Sequence, residues 1–414
     1  MIESQINKTI FPHGKLNFLL KFIFIFSIFF DINFTFLPSI TTARICFLVL
    51  LLVSVNKKKV FAKTFYNFLF SLSLVFLVAL IQYSFSSDSA QLSRLLWFTL
   101  YSIIAPFLFI SFIKSRNELL YLISFTVALQ AILTILSFIN PSIKALFYNL
   151  IIFTSNFDED QVLRAVAFAS IGGAGLSVIQ SIGVISSLVL LKINNNGFYR
   201  TILLWFIIII IIVSIVLIGR TGLFISFFSL IIYFINQIKK IKNIVLISLI
   251  SVTIYQVNLI SILENLTSGI NGFSVDVFTE WIENAFKLKN NDTSEALASM
   301  PIPPINLQTI IGTGRVVHES GIGNASGNDS GYIQTYYSLG LLISVFFYTI
   351  YILFLRNQIN RTSSKSLYIL LFIMFTIEIK EPFIFQYVFP FFVLSIILVS
   401  NKIKINSDSR LYIE

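Results

Sequence analysis

The stretch from Gly312 to Gly340, GTGRVVHESGIGNASGNDSGYIQTYYSLG, sets an arginine, a histidine and two acids ahead of the start of an apolar helix. Arginine offers a planar, permanently charged fork that matches phosphate oxygens two at a time. An imidazole titrates near neutrality, and a carboxylate in a partly dry site rises toward it. Arg315, His318, Glu319 and Asp329 are therefore candidates for a general base and for anion contacts, with Asp329 ranked above His318 and Glu319 as the base. Arg220, in IGRTG, forms the hinge between two long apolar runs, where an arginine is costly unless it snorkels or meets an anion. Arg164 follows Asp158, Glu159 and Asp160 and precedes the glycines at 172, 173 and 175, which open the next helix. The acids could pair with Arg164 and the glycines could simply pack. Alternatively the free N–H groups at that helix start favour an anion beside the arginine.

These residues hang on a very apolar frame. The 414 residues are 56% hydrophobic and 12% charged, which no soluble domain could bury in one core. Apolar runs of about 15 to 25 residues match a hydrocarbon core about 30 Å thick, so the chain is expected to be an all-α polytopic membrane protein. Twelve spans are read: 18–37, 40–55, 65–83, 95–113, 119–139, 171–191, 201–218, 223–236, 244–263, 332–355, 366–379 and 383–400. They form one integral membrane domain over 1–414 with a single large loop, 264–331. Within that loop Phe278, Trp281, Ile282 and Ala285 share one face of an expected amphipathic surface helix, and Pro301, Pro303 and Pro304 break it.

Lysines and arginines orient the spans. With the N-terminus inside, Lys8, Lys15, Lys21, the 57–59 lysines, Lys63, Lys114, Arg116, Lys192, Arg200, Lys239, Lys240, Lys242, Arg356, Arg361, Lys365, Lys402, Lys404 and Arg410 all fall on one side. That bias marks the cytoplasmic face, so both termini are expected inside and the 264–331 loop outside. The net charge of +10 is explained by these inner loops and by anionic lipid headgroups, and calls for no nucleic-acid partner. Cys46, the only cysteine, can form neither an intrachain disulfide nor a cysteine metal site. The 45 phenylalanines carry no functional weight, and no metal or cofactor site is expected.

Three stretches, RAVAFASIGGAGLS, GRTGLF and DSGYIQTYYSLGLLI, resemble motifs of the Wzy-type O-antigen and capsular polysaccharide polymerases, relatives of the O-antigen ligases. The architecture of many spans with a large late outer loop is similar as well. The resemblance implies a GT-C-like fold in the bacterial cytoplasmic membrane and an inverting, metal-independent glycosyltransferase. Its substrate would be an undecaprenyl-diphosphate-linked oligosaccharide, and a flippase and a chain-length regulator are implied partners. Arg164, Arg220 and Arg315 would hold the diphosphate. Asp329 stands where the ligase signature has its catalytic histidine, which argues against a ligase, and Gly331 follows Arg315 by sixteen residues, as in a spacing of some polymerases. A lipid-linked-sugar flippase or transporter is the competing class, but such proteins show related halves and midplane polar sites, whereas the polar weight here lies near one interface.

Overall fold

The computed structural model describes residues 15–38, 40–54, 63–153, 165, 167–193, 197–237, 299–318, 320, 323–362 and 364–411. The described residues are helical, with only the isolated β-bridges Phe34–Ile151 and Val317–Asn324 between helices. Six helices are long and apolar enough to cross a membrane: Lys63–Ser86, Ala90–Phe109, Arg116–Ile139, Gly173–Ile193, Phe198–Ile218 and Leu341–Asn360. The chain is thus a multi-pass membrane protein of helical class. Shorter apolar helices occupy the expected spans near 18–37, 40–55, 223–236, 366–379 and 383–400. The expected span 244–263, the acids 158–160 and the surface helix around Trp281 lie outside the described residues.

The chain folds as two compact units, one from 1–46 and 117–291 and the other from 47–116 and 292–414. In the first, α1 (Lys15–Phe30) meets the start of α2 (Thr42–Ser54), which crosses into the second unit at Phe47; the Thr42 hydroxyl accepts from the Ile32 amide at 2.8 Å and donates to the Ser27 carbonyl of α1 at 3.2 Å. The next two helices, α3 (Lys63–Ser86) and α4 (Ala90–Phe109), belong to the second unit, after which the first resumes. In α5 (Arg116–Ile139), Glu118 pairs with Lys21 of α1 at 2.6 Å. A helix not foreseen from the sequence, α6 (Pro141–Leu150), is started by Asn140, whose side chain accepts from the Ser142 amide, with Pro141 at a position where no N–H is needed.

The centre of this unit is α7 (Gly173–Ile193), flanked by α8 (Phe198–Ile218) and α9 (Arg220–Gln237). Its sequence GAGLSVIQSIGVISS is rich in small residues, and almost every residue from Gly175 to Leu188 is buried. Small residues let helix backbones approach closely where no aqueous hydrophobic drive exists. A Cβ on Gly183 would strike Val127, and one on Gly222 would strike the Ser177 backbone. Ser187 donates to Ser124 across the α5–α7 contact at 3.0 Å.

In the second unit α3 (Lys63–Ser86) leads into α4 (Ala90–Phe109), which widens to π geometry over Phe98–Ile104. Pro106 supplies the reason, since it has no N–H to offer the Ser102 carbonyl and its ring crowds that turn. Beyond the first unit's α5–α9 come α10 (Leu307–Ile311), α11 (Gly331–Leu339), α12 (Leu341–Asn360), α13 (Leu367–Ile377) and α14 (Val388–Leu411). The phenylalanines do packing work here, with Phe68 stacked on Phe354 at 4.3 Å and Phe98 edge-on to Tyr351 at 5.1 Å.

Two expected spans need correction. The 332–355 span is two helices, α11 and α12, broken at Gly340, whose φ of +89° suits glycine. A Cβ there would collide with the Ile310 and Ile311 backbone of α10, so the break is also a packing requirement. The 366–379 span is helical for only 11 residues, about 16 Å of rise, and α13 ends at Glu378 in a non-helical turn that runs to Tyr387.

Candidate functional site

The segment carrying Arg315, His318 and Asp329 is held over the end of α3 by side chains of that helix and the turn after it. Gln82 donates from Nε2 to the Ile311 carbonyl at 2.7 Å and to the Leu339 carbonyl at 2.9 Å. Gly312 and Gly314 take φ of +97° and +68°, and a Cβ on either would run into Gln82 or its neighbours. The amides of Thr313 and Gly314 donate to the carbonyls of Tyr337 and Ser338, so this strip lies along α11. Asp88 then fixes the next two residues. Its Oδ2 accepts from the Val316 amide at 2.7 Å and the Val317 amide at 3.1 Å, while Oδ1 accepts from Ala90 at 2.8 Å. Burial pushes the Asp88 carboxyl up, but the three N–H donors and the Arg94 charge outweigh it and hold the group below the usual carboxylate range.

From there the chain turns back on itself. His318 donates its amide to the Gly323 carbonyl, and Ala325 donates to Val316, making a small hairpin with His318 exposed near its tip. The Ser320 amide donates to His318 Nδ1 at 3.3 Å, and the Ser320 hydroxyl lies 2.9 Å from the same atom. Asn324 organises the return, accepting from the Ser326 hydroxyl and the Asn328 amide and donating to Asp329 Oδ1 at 3.4 Å. Asp329 is exposed, and its carbonyl accepts from Gln334 Nε2 at 3.0 Å. The N-cap of α11 is Ser330, so the Asp329 carboxylate has no capping duty.

Beneath this cap lies a buried polar group that the sequence reading did not single out. Gln334, on α11, bridges the Asp329 carbonyl to Arg94 of α4, whose Nη2 donates to Gln334 Oε1 at 2.9 Å. The Arg94 guanidinium sits over the Phe385 ring at 5.8 Å, and its Nη1 is enclosed with no hydrogen-bond partner among the described residues. Glu378 is wholly buried at the end of α13. Its Oε1 accepts from the Tyr348 hydroxyl at 3.0 Å, its Oε2 from the Ile384 amide at 2.8 Å, and its carbonyl from the Gly331 amide at 2.9 Å. A Cβ on Gly331 would strike that carboxylate, which explains a glycine as the first residue of α11. The available signal was ionisable residues inside or beside apolar runs, which are expensive and therefore need partners.

The first unit holds the other candidates. Arg220 is the first residue of α9, directly after Gly219, and is half-buried. The turn is tight because Gly219 packs against the Gly173 carbonyl and Gly222 against Ser177, whose Oγ accepts from the Gly222 amide at 3.0 Å. The glycine-bearing stretches around 173 and 219 thus pack on each other. The amide of Ala165, the residue after Arg164, donates to the Leu217 carbonyl at 3.1 Å. Arg164 and Glu319 themselves lie outside the described residues. Arg315, His318 and Asp329 share one cap, whereas Arg220 belongs to the first unit.

Among the described residues no group of three or more histidine, cysteine or acidic side chains could hold a metal ion. Comparison with family models, with curated proteins and with solved structures finds no match for this chain.

Proposed function

We propose that this protein is a polysaccharide repeat-unit polymerase of the Wzy type, transferring a growing glycan from a polyprenyl diphosphate to a lipid-linked repeat unit outside the cytoplasmic membrane. The observation that supports it most is the placement of Arg220. Arg220 is the first residue of α9, so its guanidinium and the N–H groups of that helix start lie together at a place that suits an anion. The guanidinium and the helix end then act on the same ligand, and a lipid diphosphate at the membrane surface is such an anion.

In the proposed reaction the acceptor hydroxyl oxygen bonds to the anomeric carbon as the bond from that carbon to the diphosphate oxygen breaks. The electron pair leaves with the diphosphate, whose charge arginine stabilises, and the hydroxyl proton passes to a carboxylate. Attack opposite the leaving group inverts the anomeric centre. Asp329 is the proposed base, being exposed and free of a capping role. His318, whose Nδ1 accepts from the Ser320 amide, is proposed to orient a sugar or phosphate oxygen through Nε2. Arg315 and Arg164 are proposed as further diphosphate contacts, and Glu319 as an alternative base.

A transport function is the second reading, favoured by the helix broken at Gly340 and the short α13, since transporters build sites from interrupted helices. Glycans from cells lacking the gene separate these. Loss of a polymerase leaves single repeat units, loss of a ligase leaves none attached, and loss of a flippase traps them inside. In complemented cells, Arg220→Lys keeps charge without the planar fork and should accumulate normally while forming few long chains. Asp329→Asn should lose about 10² to 10⁴ in rate. Long chains at normal level from both variants would refute the assignment.

A further inference from the structure

Residues 299–314, SMPIPPINLQTIIGTG, contain no ionisable side chain, although they enter a cap built on arginine, histidine and acids. Four large aliphatics in this strip face outward: Ile302 and Ile305 are 71% exposed, Leu307 74% and Ile311 58%. So much exposed aliphatic surface in one short strip is unusual where a surface meets water.

The backbone of the same strip is turned the other way. Pro301, Pro303 and Pro304 have no N–H to satisfy. The Pro301 carbonyl accepts from Asn328 Nδ2 at 3.2 Å, and the Pro304 carbonyl accepts from the Thr309 hydroxyl at 2.7 Å and the Tyr336 hydroxyl at 3.3 Å. Asn306 and Thr309 close a reciprocal cap at the start of α10, and Gln82 takes up the Ile311 carbonyl. Carbonyls taken up by protein donors lower the cost of seating such a loop at a membrane interface, where less water reaches them. The strip is also tied to Gln82, near the end of a helix long enough to cross a membrane, and so stands at the level where that helix leaves it.

We propose that residues 301–311 form a lipid-seated strap, with Ile302, Ile305, Leu307 and Ile311 inserted at the boundary between headgroups and acyl chains of a phospholipid bilayer. The strap would hold the attached cap, with Arg315, His318 and Asp329, at headgroup depth. This stands on the membrane class of the chain and not on the proposed reaction.

The test uses full-length protein in phospholipid nanodiscs on a Cys46→Ser background, with single cysteines at Ile302, Ile305, Leu307 and Ile311 carrying a nitroxide. Phe70→Cys, exposed on α3, serves as the lipid reference and Lys365→Cys, exposed in the turn between α12 and α13, as the water reference. Relaxation by oxygen, which partitions into lipid, and by a water-soluble nickel chelate should place all four positions toward the Phe70 value. Two results overturn the proposal. Preferential relaxation by nickel at these positions would put the strip in water, and poor access to both reagents would show that protein covers it. The labelled residues are exposed and Cys46 is half-buried, and a monodisperse elution profile for each variant confirms that the fold is intact before labels are read.

Discussion

Asp88→Asn is the sharpest probe of how the cap is held. The substitution preserves size and shape, yet an amide has one acceptor oxygen where the carboxylate has two. Oδ1 of Asp88 serves the Ala90 amide, and Oδ2 serves Val316 and Val317 at 2.7 and 3.1 Å. Whichever way the new amide turns, its NH₂ faces at least one backbone N–H, donor against donor. Hydrogen bonds to a charged group contribute roughly 1.5 to 3 kcal/mol each, and Asp88 is only partly buried, so the freed amides recover part of this from water. A net cost of about 2 kcal/mol follows for keeping the strip closed, a rise of roughly 30-fold in its opening equilibrium. Hydrogen exchange read by mass spectrometry on peptides covering 312–318 should accelerate by about that factor, while peptides from α7 stay unchanged. The wild-type protein has a matching pH dependence. The folded state holds this carboxyl below its ordinary value of 3.8, so its stabilisation is fully present above that value and is lost as pH falls through the lower folded-state value. Unchanged exchange at 312–318 in Asp88→Asn would refute the view that this carboxylate clamps the cap.

Three further outcomes follow from packing and pairing. Gly222→Ala should lower stability by about 1 to 3 kcal/mol in thermal unfolding, because the new methyl meets the Ser177 backbone, whereas a methyl added at Gly197 finds open space and serves as control. Gln334→Leu removes the link between Arg94 and the Asp329 carbonyl and should cost roughly 1 to 3 kcal/mol, while Gln334→Glu, which keeps an acceptor for Arg94, should cost less in the same denaturation assay. The double variant Lys21→Met with Glu118→Gln should lose less stability than the sum of the two single losses, since removing one partner alone strands the other's charge in a site where the side chains are 9% and 16% exposed; strict additivity would deny the pair any coupling.

Much of the architecture was legible because insertion chemistry writes it along the chain. Several groups that the charge rule assigns to one side of the membrane come together within a unit. Lys21 meets Glu118; Arg361 and Gln358 reach Thr64, beside Lys63; and Lys402 donates to the carbonyls of Ile110 and Ile113, next to Lys114. The break at Gly340 was less legible, since an apolar run with one glycine has the same hydropathy whether continuous or interrupted. What decides it is the approach of α10, which lies beyond any local window. The buried group of Arg94, Gln334 and Glu378 was hidden for a similar reason. Arg94 and Gln334 are 240 residues apart, and each acquires its meaning from the other.

The glycines around 173 and 219 sharpen what the family resemblance can support. Their spacing could follow from a ligand that approaches the backbone or from two helices doing so, and contacts among Gly173, Ser177, Gly219 and Gly222 supply the second cause in full. The glycine part of those motifs therefore carries no separate argument for a substrate. Arg220 stands at the first position of α9, where a guanidinium and the helix N–H groups can meet one anion. The case for an anionic ligand rests on the arginine, and the tight glycine turn is what fixes it at the helix end.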